Sequence, residues 1–460
     1  MTAVLACCSV PSSLSIDGGW TDPMRVTMLL VAAALFSQAP LALGAQEDGE
    51  SQVVEKTLPP GWLSDPDIAP KSLNDALTGG RVRLDNRFRL ELADVEGYES
   101  ATALTNRIRL GYETKPINGF SGYLEMENVT ALTRDEFFVP TTGQGNPEMT
   151  VINDPEGTEL NRAWVLYQGR DVADTGLWYD FKFGRQRLAF DNHRFVGRKP
   201  WRQFEQTFDA IRFTSNLGLE DIEATYVYVF GVQRVTGPDG INFDADTHLV
   251  NVAYTASPEL KVVGFVYLLD FSGDSPLNDS DTWGLRATGT LLEDEGVEDD
   301  VTLAYQLQFA QQTDAGSNPN DYEANAVQAE LKLAQQGLGA VAVGYELLGS
   351  DNGNAAFRVP LGSNHGKQGF ADRFLTTPDV GIQNFYITVS GDLPWGIKAA
   401  VSYHEFLSDD GGDELGNEID FVATKKLDER WTMLTKGAFF DGQSGFADTT
   451  KFWVQLEFAF

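Results

Sequence analysis

The last ten residues, 451–460, read KFWVQLEFAF and change character at every position. Phe452, Val454, Leu456, Phe458 and Phe460 fall on one face; Lys451, Trp453, Gln455, Glu457 and Ala459 fall on the other. Alternation at period two puts side chains on opposite faces of a sheet. A tilted strand needs about ten residues to cross a bilayer. Chain ends are ordinarily polar and frayed, so an apolar strand ending on Phe reads as the closing strand of a barrel. The feature predicts an all-β chain upstream, a transmembrane antiparallel β-barrel.

The rest of the sequence agrees. Mean hydropathy is −0.23, and no apolar run after residue 45 approaches the length of a membrane helix, about 18 residues. From Arg81 onward, alternation recurs in about 18 stretches, from 81–92 to 450–460. The gaps between them alternate in length. Those at 131–157, 188–206 and 350–380 are long, whereas 115–118, 257–259 and 428–430 are short. Outer-membrane barrels have this layout, with short periplasmic turns and long extracellular loops. Residues 24–45 read as a secretory signal: Arg25, an apolar core at 28–36, and Ala42-Leu43-Gly44 as the cleavage site. The stretch before Met24 reads as an over-extended start, with Met24 or Met28 as initiator. The predicted organisation is leader 1–45, a proline-bearing periplasmic tail 46–80, and a barrel 81–460. Both cysteines, Cys7 and Cys8, lie in the leader, so the exported chain would carry no disulfide.

Formal net charge is −33, which argues against nucleic acid as a partner. The acid gathers in runs such as Glu293-Asp294-Glu295, Asp299-Asp300 and Asp409-Asp410. These either solvate loops or hold Ca²⁺ or Mg²⁺; no other cofactor is implied. The four histidines are scattered, with no HExxH pair, GxSxG or P-loop, so no enzyme is expected.

Function concentrates in the first three strands. Arg81, Arg83, Arg87, Arg89 and Glu91 share one face of the first, and Arg107, Arg109 and Glu113 one face of the second. Tyr123, Glu125 and Glu127 share one face of the third. Charges facing lipid at mid-depth cost about 2–4 kcal/mol each, so these faces must line the lumen. Turns near Tyr98 and Ile117 would set Arg87 opposite Arg109 and Arg89 opposite Arg107. The same turns would set Arg109 opposite Glu125 and Arg107 opposite Glu127. Directly opposed like charges need compensation, and two carboxylates for four guanidinium groups leave an anion-attracting track. The 188–206 gap is basic and aromatic, with Arg194, Phe195, Arg198, Lys199, Trp201 and Arg202. It is predicted to fold inward as a constriction, Phe195 and Trp201 stacking on sugar rings while the arginines hold carboxylates.

Several stretches carry a resemblance: 153–162 (NDPEGTELNR), the GRQ of 184–186, 191–197 (DNHRFVG), 201–209 (WRQFEQTFD) and 360–374 (PLGSNHGKQGFADRF). They resemble the alginate-export family of outer-membrane porins. The resemblance implies an eighteen-stranded monomeric barrel in the bacterial outer membrane, an arginine-rich lumen and inward-folded loops, and puts Arg185 on the substrate path. The expected activity is passive passage of an anionic polysaccharide or oligosaccharide. The alternatives are uptake of small acidic solutes and a structural or adhesive barrel without transport. The expected partners are outer-membrane lipid and lipopolysaccharide, the transported saccharide, and the barrel-assembly machinery acting on the terminal strand.

Overall fold

The computed structural model describes residues 70–170, 175–293 and 301–460. The leader, most of the tail and the acidic run at 294–300 lie outside these residues. A short helix, α1 (Leu73–Thr78), opens the described chain, and the Ser72 hydroxyl caps it by accepting from the Asp75 N–H. Tyr112 Oη donates to the Leu77 carbonyl, and the Lys115 N–H donates to that of Ala76. The helix is thereby tied to the turn that follows the second strand.

The strands are β1 (Arg81–Val95), β2 (Ala101–Glu113), β3 (Phe120–Ala131), β4 (Gly157–Gly169), β5 (Tyr179–Gln186) and β6 (Thr207–Ser215). They continue as β7 (Ile222–Gln233), β8 (Phe243–Ser257), β9 (Leu260–Leu269), β10 (Ser280–Glu293), β11 (Val301–Asp314) and β12 (Glu323–Gln335). The last six are β13 (Gly339–Leu348), β14 (Ile382–Leu393), β15 (Ile397–Leu407), β16 (Glu414–Lys426), β17 (Trp431–Gly442) and β18 (Thr449–Ala459). All 18 form one antiparallel sheet, each pairing with its chain neighbours, and β1 pairs with β18 to close it. At the seam the Leu84 N–H donates to the Phe460 carbonyl and the Phe460 N–H to that of Leu84 (3.0 and 2.8 Å). Closure removes the exposed edges that open sheets present.

Burial follows the alternation. In β18, Lys451, Trp453, Gln455 and Glu457 are buried inward while Phe452, Val454, Leu456 and Phe458 are partly exposed outward. Phe88, Ile108, Leu110, Leu124 and Met126 are exposed on the outer wall.

Two features differ from the sequence expectation. The first is register. Arg87 faces Arg107 and Asp85 faces Arg109 across β1–β2; Arg109 faces Glu127 across β2–β3, and Gly111 faces Glu125. Each pairing is displaced by two residues from that expected. The first turn centres on Glu96-Gly97, with Gly97 at φ 91, and the second on Asn118-Gly119, at φ 50 and 84. Asn-Gly with two positive φ values is the two-residue hairpin turn whose twist suits its strands; it pairs Ile117 with Phe120, and one extra residue between Glu113 and Ile117 sets the ladder beyond it, Glu113 opposite Tyr123. A slip of two keeps every side chain on its face.

The second difference is the filling of the lumen. Several inward positions on β7–β9, β15 and β17 are apolar, including Val227, Val229, Leu249, Phe265, Phe406 and Phe440. They join Val196, Trp201, Phe357 and Phe374 in one buried cluster. These four belong to the segments 187–206 and 349–381, which fold into the barrel from its long-loop end. Fully burying one such side chain is worth about 1.5–3 kcal/mol, enough collectively to dock two loops.

Candidate functional site

The arginines of β1 and β2 face inward, and each is gripped. Arg87 Nε donates to Glu457 Oε1 (2.8 Å), and its Nη1 donates to the Pro200 and Trp201 carbonyls. Arg89 donates to Gln455 Oε1 (2.8 and 2.6 Å) and to the Trp201 carbonyl (2.6 Å), and lies 3.5 Å from Asp154. Arg107 pairs with Asp85, and Arg109 with Glu127 (2.6 Å). Glu125 is held by Arg162 of β4 (2.7 Å) rather than by β2. Opposed Arg87 and Arg107 therefore coexist because carboxylates from β18 and β1 itself flank them.

The loop residues expected to meet solute are mostly structural. Arg194 reaches the far wall, clamping Glu346 of β13 (2.7 and 2.9 Å). Phe195 packs on Phe265 and Phe357. Lys199 Nζ donates to the Pro360 carbonyl (2.7 Å), and its burial holds its pKa well below the usual lysine range. Arg202 joins Glu91 (3.3 Å) to Asp372 (2.7 Å). Trp201 stacks on His365 (4.5 Å between centroids, 3° between planes), lies edge-on to Trp453, and carries Arg89 and Lys436 over its ring. With every side of the ring covered, Trp201 is unavailable to a sugar. Arg185 is corrected outright. It shares the outward parity of exposed Phe181 and Phe183, and pairs with Asp209 (2.8 Å) on the outer wall.

His365 links the two loops. Lys436 Nζ can only donate, so His365 Nε2 accepts (2.7 Å) and Nδ1–H donates to Asp372 Oδ1 (2.7 Å). Burial pushes the His365 pKa down to about 3 against the pull of Asp372. Burial alone would raise Asp372; His365, Lys451 and Arg202 instead hold it well below the carboxylate range. The acid partner of His365 lies seven residues away in a loop, where no periodicity marks it.

Four of the five stretches that carry the family resemblance serve this docking; 184–186 does not. Asp154 accepts from the Gln203 N–H (2.9 Å), Gln203 Nε2 donates to Thr105 Oγ1, and Gln206 Nε2 donates to the Gly197 and Leu361 carbonyls. Sequence reasoning also passed over Asp85, Glu205, Asp372, Lys436 and Glu457. The inward parity of Asp85, Lys436 and Glu457 was a usable signal; Glu205 and Asp372 had none.

A cavity of about 280 Å³ opens at the short-turn end, where β1 begins and β18 ends. Arg198 and Pro200 of the first loop border it. Its wall carries Arg83, Arg87, Arg107, Arg109, Arg162, Arg187 and Arg198 against the carboxylates Asp85, Glu125 and Glu457. Of the predicted path residues, Arg87, Arg107, Arg109, Glu125 and Arg198 reach this space. Arg89, Glu127, Arg194, Lys199, Trp201 and Arg202 lie behind it or beyond. Among the described residues, no cluster of three or more His, Cys, Asp or Glu could hold a metal ion.

Residues 141–387 match the family profile described as alginate export. No curated protein matches the sequence. Among solved structures, the fold is similar to that of Acinetobacter baumannii OccAB4 (TM-score 0.63, 12% identity, covering 83% of this chain and 98% of that one). It is also similar to Pseudomonas aeruginosa OpdL (TM-score 0.60, 14%, 84% and 99%). Pseudomonas aeruginosa OccK9 matches as well (TM-score 0.63, 12%, 84% and 100%). At such identities the likeness is one of fold.

Proposed function

Because the chain belongs to the alginate-export family of outer-membrane porins, we propose that it passes an anionic polysaccharide or oligosaccharide by diffusion through its arginine-lined cavity. The barrel resides in the bacterial outer membrane, its apolar outer wall against lipid. The observation that carries the reading is the charge of the cavity wall, seven guanidinium groups against three carboxylates, in a chain of net charge −33. Charges on exposed loops are screened over about 8 Å at physiological salt. Fixed charges in a narrow lumen act on a solute at contact, where low-dielectric walls focus their field. Arginine suits the task because its planar fork meets a carboxylate through two parallel hydrogen bonds. Selection is by field and width; no bond of the solute is broken and no cofactor takes part. In this reading the porin works as a monomer, contacts lipid and lipopolysaccharide along its outer wall, and is assembled through its terminal strand. Residues 46–80 belong to the periplasmic side.

A second reading, uptake of small acidic solutes, is favoured by the packing of Trp201, Phe374, Phe406 and Phe440 inside the barrel. A cavity of about 280 Å³ is the size of a small-molecule site, which begins at about 300 Å³. Planar-bilayer recording separates the readings. A polyuronate that blocks the current from one side, more strongly than the monouronate does, supports polymer passage. Equal weak block by both supports small solutes, and near-absent conductance identifies a structural barrel.

A further inference from the structure

Glu205 lies at the end of the first in-folded loop, fully buried, and no strand periodicity marks it. Arg187 grips it with Nε (2.8 Å to each carboxylate oxygen) and Nη2 (2.6 Å). Arg109 Nη1 is 3.6 Å away, Arg198 Nη1 4.0 Å, and Asn161 Nδ2 donates at 2.8 Å. Three guanidinium groups and an amide from β2, β4 and the loop thus converge on one carboxylate. All three arginines also line the open cavity, whereas Glu205 does not.

This is the geometry of a receptor for a carboxylate: a bidentate fork, two further cations and a neutral donor. A lone structural ion pair needs one partner. Burial alone would raise the Glu205 pKa, and Arg109, Arg187, Arg198 and Arg162 instead hold it well below the carboxylate range. Glu205 therefore stays ionised and competes as a full negative charge.

We propose that Glu205 is a built-in surrogate ligand, occupying a carboxylate-binding site that the carboxylates of an anionic solute take over as they pass. The proposal deepens the passage reading and rests on it for the identity of the natural solute. A solute arriving through the cavity meets Arg109, Arg187 and Arg198 from the open side and exchanges with Glu205 for the same donors. Exchange keeps binding weak enough for release, which a conducting site requires. It also spares the arginines from facing one another uncompensated when the passage is empty.

Acetate tests this without reference to any polymer. Chloride current through the full-length porin is titrated with acetate for wild type, Glu205→Gln and Glu205→Ala. Removing the internal competitor should lower the half-inhibiting acetate concentration at least ~10-fold, since a site occupied by its own chain binds in proportion to its free fraction. The glutamine variant retains the shape of the side chain and serves if the alanine variant does not assemble. Acetate sensitivity equal to or weaker than wild type in the assembled variants overturns the proposal. Wild-type current indifferent to polyuronate would instead overturn the export reading, and the acetate comparison would stand.

Discussion

The four buried arginines of β1 and β2 take their countercharges from different parts of the chain: Arg87 from Glu457, Arg89 from Asp154, Arg107 from Asp85, Arg109 from Glu127 and Glu205. Removing one member of a buried pair leaves the other uncompensated, at about 3–5 kcal/mol. Arg109→Gln should therefore lower the temperature at which the barrel loses its fast-migrating, heat-modifiable form on gels. It should also move the reversal potential towards cations, because a positive charge is lost from the cavity wall. A folded-state temperature unchanged from wild type would show that the pair contributes nothing. His365 gives a pH dependence with a definite sign. Its folded pKa, about 3, lies below the ordinary histidine value of about 6.5, so the undocked loops bind a proton that the docked loops do not. Its contribution to docking is fully present above pH 6.5 or so and weakens as the pH falls towards 3. Protease nicking of the 349–381 loop should increase on acidification from pH 7 to 4, and less so in His365→Gln.

At the scale of elements, strands and loops were unequally legible. The strands were readable because lipid outside and a walled lumen inside impose period two on every one. Register needed more than the turns: the Asn118-Gly119 hairpin pairs Ile117 with Phe120, and one extra residue between Glu113 and Ile117 shifts the ladder to Arg109 opposite Glu127, an irregularity that no alternation marks. In β9 the run LKVVGFVYLL is apolar on both faces, where a strand lining a water-filled barrel would alternate apolar with polar. Such a run signals a strand covered on both sides, here by lipid and by the in-folded loops. The loop contacts themselves, Arg194 with Glu346 or Asp372 with His365, join segments far apart in sequence or without periodicity, and no local pattern announces them. Loop docking rests on Phe374, packed on Phe406, Phe440 and Phe446. Phe374→Ala should cost about 3–5 kcal/mol of docking and raise single-channel conductance and its noise. Unaltered conductance would mean that the loop is held without it. Wall orientation has its own check. Cysteines replacing Arg87 or Arg107 should react with a small aqueous thiol reagent, and those replacing Phe88 or Ile108 should not.

For the molecule as a whole, closure and charge are the two decisive properties. Closure depends on the β1–β18 seam, whose last hydrogen bonds come from Phe460 and whose terminal ring lies under Arg430 (4.9 Å). Phe460→Asp should reduce the amount of assembled barrel far more than substitutions at the exposed residues of the 408–413 loop, as heat-modifiable gel migration would report. Charge poses the sharper question, because the whole chain is strongly acidic while the cavity wall is basic. In the proposed passage the nearest fixed charges govern a confined solute. The direct measurement is the reversal potential of the wild-type pore under a KCl gradient, repeated with polyuronate added to each side in turn. A preference for anions, with block by polyuronate from one side, is the predicted result; strong cation selectivity with indifference to polyuronate would contradict it.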